Sequence, residues 1–204
     1  MEILLVLGVL VVAFRYAQLR EQRERVGLLS AQLRPYEIEK RMERLIEAYL
    51  RAAGEPDSER SEPIWQTLVD VENAIERELG QLADDVRKVW GESMRVSRWP
   101  VHVPQATRFF PSIGFDFRAL VALHARGLSA ALRDEGGLSR RDRAFRVTAE
   151  LMLFQHSCHW FCRSKSVADA RLLIAHKTPY AQVLDAVTPQ TRAAYKALIQ
   201  PAQA

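Results

Sequence analysis

The chain has 204 residues, 48% of them hydrophobic, and a formal net charge of +4 at neutral pH. About 185 residues follow an apolar N-terminal run, enough for one domain with a real core but hardly for two. The two cysteines, Cys158 and Cys162, exclude a disulfide-rich fold and are consistent with a reducing compartment.

Residues 1–19 predict a transmembrane anchor. Residues 3–14 are apolar, and the first charged side chain after them is Arg15. A spanning helix needs about 20 apolar residues, so this span is short and Arg15 must snorkel towards the headgroups. The residues that define the predicted anchor are Ile3, Leu7, Leu10, Phe14 and Arg15.

Two alternatives to an anchor are weaker. A cleaved signal peptide is disfavoured because Met1 and Glu2 make no positive leader region and the apolar run continues into Arg15. A buried core helix or an interfacial helix stays open, since apolar runs of about 10 to 14 residues often form one of those.

Four arginines follow the span, at positions 15, 20, 23 and 25. The positive-inside rule therefore places the C-terminal part in the cytoplasm, and we predict a single-pass protein of a bacterial inner membrane. Leu19, Val26 and Leu33 recur every seven residues, which predicts a helical, coiled-coil-like stalk over residues 20–35. The seam is too short to decide whether the stalk dimerises.

Residues 36–204 are predicted to form one helical domain. An apolar stripe from Ile38 to Leu50 indicates a helix that ends at Gly54, and the polar run of residues 55–62 reads as a surface loop. Pro63 suits the start of the next helix, whose apolar positions continue at spacings of three and four to Val89.

Residues 95–115 break the helical pattern, because three prolines lie within them. Further helices are predicted after Asp116, Ser139 with Asp142, Ser166 with Asp169, Thr178 and Thr188, each a residue type that caps helix starts. The predicted fold class is all-α: an anchor helix and stalk followed by an irregular helical bundle with a long aromatic loop.

Two basic groups are candidate ligand or partner sites. The first interleaves cations with aromatic rings, a mixture that holds anionic or aromatic ligands; its members are Arg95, Arg98, Trp99, His102, Arg108, Phe109 and Phe110. The alternative is a structural plug with the rings packed inward. The second group, Arg140, Arg141 and Arg143 with Arg146, opposes a helix dipole and needs either an acidic partner within the chain or an anionic ligand.

The run of residues 156–162 carries two histidines and two cysteines, the ligand types of zinc. At 100° per residue His156 points away from Cys158, His159 and Cys162, and the same sector belongs to the apolar stripe of the helix. We therefore predict core residues and no metal or cofactor, keeping His159, Cys162 and His176 as minor metal candidates. His124, between Val121 and Leu128, is predicted as a hydrogen-bonded core histidine.

No phosphate-binding glycine loop, nucleophile elbow or paired metal motif is present in the sequence, so no catalytic residue is predicted and a non-enzyme is favoured. The leading hypothesis is a binding or scaffolding module at the cytoplasmic membrane face, with the bilayer and a protein as partners. One alternative is a sensor or enzyme with a pocket between the 95–115 loop and the helices of His124 and His159. Another is nucleic-acid binding by residues 93–204, which carry a net charge of +9, but nucleic acid is the less favoured partner.

Overall fold

The computed structural model describes residues 1–55, 58–133 and 137–200, with backbone alone at 58–61. Nine α-helices lie in these ranges, and the strands comprise six residues, so the all-α prediction is confirmed. The sequence also predicts that the helix after Asp116 ends at Gly136 and Gly137, and Gly136 lies outside the described residues, as do Pro56 and Asp57 of the predicted loop.

The first three helices run from the N terminus to the middle of the chain: α1 (Glu2–Leu33), α2 (Ile38–Gly54) and α3 (Ser58–Arg87). The apolar positions predicted for α3 form its buried face, including Ile75, Leu79 and Leu82. The helix begins five residues before Pro63, where the sequence predicts a loop. Pro63 is the sixth residue of α3, past the first turn, so it removes one backbone hydrogen bond and its ring crowds the preceding turn of the helix.

The irregular segment contains a small sheet that the sequence analysis did not predict. Strands β1 (Arg95–Ser97) and β2 (Gly114–Asp116) pair antiparallel, with Val96 opposite Phe115. A short helix, α4 (Ala106–Phe109), and a 3-10 turn (Pro111–Ile113) lie between them. The pairing closes residues 98–113 into a loop with fixed ends.

The C-terminal half contains α5 (Phe117–Arg133), α6 (Arg140–Cys162), α7 (Lys165–His176), α8 (Tyr180–Ala186) and α9 (Pro189–Ile199). Ser139 caps α6 and Thr188 caps α9, as the sequence predicts. The cap of α7 is Ser164 rather than Ser166, and Pro179 rather than Thr178 occupies the cap position of α8.

Helix α6 is the centre of the bundle and packs against α1, α2, α5, α7 and α8. The rings of Phe117 on α5 and Phe161 on α6 stack with their centroids 4.5 Å apart. On α5, Gly127 leaves room for Glu150 of α6 and Thr191 of α9, because a Cβ atom there would lie 2.6 Å from a carboxylate oxygen of Glu150. The core therefore lies between α3, α5 and α6, with α9 closing one side.

Candidate functional site

Helix α1 has two halves with opposite surroundings. Residues 1–17 are all exposed, and Gln18 is the first residue that the domain partly covers. The helix is long and apolar enough to cross a membrane, a test that a signal sequence also passes. The second half continues without a break to Leu33 and packs on the domain through buried Leu29.

The first contacts between α1 and the domain are made with the loop of residues 98–113. The Nε2 amide of Gln18 donates to the backbone carbonyl of His102 over 2.9 Å. Glu21 accepts the backbone N–H of Gln105 over 2.8 Å. Gln105 has a left-handed backbone with φ 58°, which costs a non-glycine residue roughly 1–2 kcal/mol, and the Glu21 carboxylate helps to hold it there.

The His102 side chain is enclosed at the same junction. Its Nε2 lies 3.8 Å from a carboxylate oxygen of Glu21. Burial lowers the pKa of His102, and the nearby Arg25 cation lowers that pKa further, while Glu21 opposes both effects. His102 is therefore neutral at physiological pH, and its imidazole belongs to the helix contact rather than to an open site.

Further along α1 the contacts move to the C-terminal end of α6. Arg25 donates to the carbonyl of Phe161 over 3.2 Å, and its guanidinium lies 5.6 Å from the centre of the Phe161 ring. Gln22 accepts a hydrogen bond from Arg163 over 2.6 Å. Since Phe161 itself is fully buried, the docked half of α1 is anchored to the core and has a fixed direction.

The predicted stalk therefore lies against the domain. Leu33 packs on the core, together with Leu28. Leu19 and Val26, the other members of the heptad seam, stay exposed at 44% and 41%. Two of the three seam positions are thus free of the domain contact, whereas Leu33 is part of that contact.

Two arginines of the first basic group donate to backbone carbonyls. Arg95 donates to that of Pro111 over 2.7 Å. Arg98 donates to four carbonyls, those of Ser112 and Gly114 in the loop and of Leu198 and Ile199 at the end of α9. Burial lowers the pKa of Arg98, as does the neighbouring Arg95 cation. These bonds tie the loop to α9, so Arg98 is structural in this arrangement.

The aromatic side chains of the same group face solvent. Phe109, Phe110 and Trp99 are 72%, 55% and 37% exposed, and Val101 beside them is 58% exposed. The rings of Trp99 and Phe110 are 5.8 Å apart. We call Trp99, Val101, Phe109 and Phe110 the aromatic patch. The expected alternative of a plug with buried rings does not describe these side chains, while the exposed Arg108 completes a basic, aromatic surface.

The second basic group pairs with α3. Arg140 forms an ion pair with Glu62. Arg143 binds the largely buried Glu72 through two bonds of 2.9 and 3.0 Å, and Glu72 also accepts the hydroxyl of Tyr49. Arg143 also donates to the carbonyl of Leu132. The structure thus contains the acidic partner that a structural role for these arginines requires.

Arg141 is exposed, and its guanidinium lies 5.7 Å from the centre of the Phe145 ring. It also lines a surface groove with Arg140, Trp65 and residues 52–55. A second groove lies between α3, α5 and α9 and is lined by Arg126, Arg146 and Gln190, among others. The pocket expected beside His124 and His159 does not coincide with either groove.

His124 is completely enclosed. Ser157 donates its hydroxyl hydrogen to the carbonyl of Leu153, so the 2.9 Å contact between Ser157 and His124 Nε2 requires the imidazole to donate. Burial lowers the pKa of His124 to about 3, with a smaller contribution from His156. The residue is a neutral, hydrogen-bonded core histidine, as the sequence predicts.

The histidines and cysteines of α6 separate into different environments. His156 Nε2 lies 2.7 Å from Asp169, which also binds Lys165 at 2.8 Å. Burial lowers the pKa of His159 to about 4 and raises that of Cys162 to about 11. The other minor metal candidate, His176, contacts Gln155 at 2.9 Å.

Within the described ranges no group of three or more His, Cys, Asp or Glu side chains could hold a metal ion. Asp169, predicted as part of a helix cap, instead partners a buried histidine. Such a pairing between two helices leaves no local pattern in a sequence, and the same is true of Gln18 and Glu21.

No family model, curated protein or solved structure matches this chain.

Proposed function

We propose that the chain is a single-pass protein of a bacterial inner membrane whose helical domain is a binding module held at the cytoplasmic face. The observation that carries the proposal is the continuity of α1. One helix has an exposed apolar first half and a second half that docks onto the domain through Gln18, Glu21 and Arg25.

This continuity favours an anchor over a cleaved signal. The docked half begins four residues after Phe14, so cleavage near the end of the apolar run would cut the helix at its junction with the domain. By the positive-inside rule, the arginines that follow the span place the domain in the cytoplasm. The acidic residues among them do not change this, because Asp and Glu contribute little to the rule.

The binding role follows from the fixed junction. A domain on a flexible linker varies its distance from the bilayer and its orientation. This domain is fixed to α1 by side chains from Gln18 to Leu33, so both its distance from the bilayer and its orientation are set by the helix. Such an arrangement suits presentation of a surface to a partner. We propose the exposed groove lined by Trp65 and Arg141 as that surface.

The test of the anchor is a double substitution, Leu7→Arg with Val9→Arg. Each arginine near the centre of a span costs about 2.5–3.5 kcal/mol of insertion free energy, so the protein should move to the soluble fraction. The control is Leu50→Arg, an equal change at an exposed apolar residue of α2, which should stay in membranes. Membrane retention of the double variant would contradict the anchor.

Orientation and processing need their own measurements. A C-terminal green fluorescent protein should fluoresce in cells and a C-terminal alkaline phosphatase should be inactive, because the first folds in the cytoplasm and the second in the periplasm. The intact mass of the membrane-extracted chain should include the N-terminal residues. Active phosphatase would reverse the orientation, and loss of the first residues would identify a signal sequence.

A further inference from the structure

We propose that the aromatic patch of Trp99, Val101, Phe109 and Phe110 inserts into the headgroup region of the leaflet from which α1 emerges. This inference rests on the proposed anchor and adds a second membrane contact to it. The domain then touches the bilayer at two places, the helix and the loop, and the occupant of the patch is an anionic phospholipid surface.

The height of the loop above the bilayer follows from its bonds to α1. Gln18 lies four residues beyond Phe14, about 6 Å along the helix axis, and Glu21 lies about 10 Å beyond Phe14. The polar region on each side of a bilayer is about 5–8 Å thick. Because Gln18 binds His102, the loop backbone at His102 lies level with the headgroups when residues 3–14 occupy the hydrocarbon. Gln105, bound to Glu21, then lies just outside the headgroups.

The chemistry of the patch suits that depth. Tryptophan is enriched at membrane interfaces, where an amphipathic ring meets both lipid and water. Phe109 and Phe110 expose rings that water solvates poorly. The backbone that carries the rings is fixed to the domain, since Arg98 joins the carbonyls of Ser112 and Gly114 to that of Ile199 at the end of α9.

The charge of the loop is complementary to anionic lipid. Between Glu92 and Asp116 the sequence has no acidic residue, whereas it has three arginines, at positions 95, 98 and 108. Arg108 is exposed beside the rings, and Arg15 and Arg163 are exposed on neighbouring segments. Each basic residue near an anionic surface contributes about 1 kcal/mol of attraction.

The experiment uses the full chain in vesicles of phosphatidylcholine and phosphatidylglycerol, with a nitroxide label at Phe109→Cys. Cys158→Ser and Cys162→Ser remove the native thiols. Collision of the label with oxygen, which concentrates in lipid, is compared with collision with a water-soluble nickel chelate. Phe110→Cys supplies a second reporter on the same patch if the first variant folds poorly.

The matched control is Leu50→Cys, another exposed apolar side chain. Leu50 follows Tyr49, which binds Glu72 and through it Arg143 near the start of α6. Arg143 is 18 residues from Phe161, about 27 Å along α6, so Leu50 lies at the end of the bundle away from α1. A label at Leu7→Cys reports the anchor itself.

We expect the labels at positions 7 and 109 to collide several-fold more with oxygen relative to the chelate than the label at position 50. If the label at position 7 collided mainly with oxygen and the label at position 109 mainly with the chelate, the loop contact would be wrong and the anchor would still be supported. Water exposure at 7 would overturn the anchor. A label at 109 shielded from both reagents would show that a protein or second copy covers the patch, which also overturns the proposal.

Discussion

The two ends of α6 use their polar side chains in different ways. At the far end, where α6 begins, Arg140 and Arg143 pair with the carboxylates Glu62 and Glu72 of α3. At the near end, where α1 docks on Phe161, Arg25 pairs with Glu21 of its own helix and also donates to the carbonyl of Phe161. Arg98 at this end donates to four backbone carbonyls. The histidines of the near end, among them His156 and His159, have pKa values lowered by burial.

The difference explains the uneven charge of the chain. Residues 36–92 carry a net charge of −7 and residues 93–204 carry +9. Part of this imbalance is neutralised where α3 meets the start of α6, so the charge split there serves folding. The near-end loop has cations but no carboxylate of its own between Glu92 and Asp116, which is the imbalance that an anionic bilayer would neutralise.

The largest expected effect is at the far end. Arg143→Ala would leave the carboxylate of Glu72 buried without its cation, since Glu72 is only 8% exposed. Removing one partner of a buried pair costs about 3–5 kcal/mol, and we expect the lower value because Tyr49 still donates to Glu72. Urea unfolding of the detergent-solubilised chain measures the loss.

Arg140→Ala is the control for that change. Its pair with Glu62 is 59% and 44% exposed, and exposed ion pairs contribute at most about 1 kcal/mol. The two variants remove the same charge from the same helix within one turn. Equal losses of stability would show that burial of Glu72 does not make the Arg143 pair more stabilising than the exposed Arg140 pair.

How far the sequence predicts the fold depends on the surroundings of each helix. Helix α3 shows a clean apolar stripe because one of its faces is solvated, and the buried residues Ile75, Leu79 and Leu82 lie on it. Helix α6 misleads. The sequence predicts an apolar stripe that begins at Phe145, but Phe145 is 47% exposed, while Val147 and Phe161, which are not on that stripe, are buried. A central helix packed on several sides has no single apolar stripe.

The candidate site was predicted by composition rather than by geometry. The alternation of arginines and rings in residues 95–110 identified an unusual segment, and four of its aromatic and apolar side chains form the exposed patch. The use of Arg98 for backbone carbonyls and the bonds from Gln18 and Glu21 could not be predicted. They join residues about 14 to 100 positions apart, and such pairs leave no period in a single sequence.

A second prediction concerns the stability of the protein at low pH, which tests whether His124 is neutral in the folded state. With a folded pKa of about 3 for His124 and an unfolded value near 6.5, the unfolded chain binds more protons between these pH values, so stability falls as pH falls. From about pH 7.5 to about pH 5 this one residue should cost about 2 kcal/mol. Urea unfolding at the two pH values measures it.

The matched variant is His124→Gln, whose amide can donate to Ser157 but does not titrate. Other groups titrate equally in both chains, so the difference between their pH dependences isolates His124. The variant should lose about 2 kcal/mol less than the parent over the same pH interval, whatever its stability at neutral pH. Identical pH dependences of stability in the two chains would show that burial does not lower the pKa of His124 in the folded protein.

The smallest effect is expected from Arg98→Lys, which keeps the charge of the loop but not the planar fork that reaches carbonyls of both the loop and α9. A lysine can satisfy some of these carbonyls, so the loss should be about 1 kcal/mol of unfolding free energy. Arg108→Lys, the same change at an exposed arginine of the same loop, should alter stability by less than about 0.5 kcal/mol. If both substitutions were neutral, the loop would not depend on its carbonyl contacts, and the near end would lose the feature that separates it from the ion-paired far end.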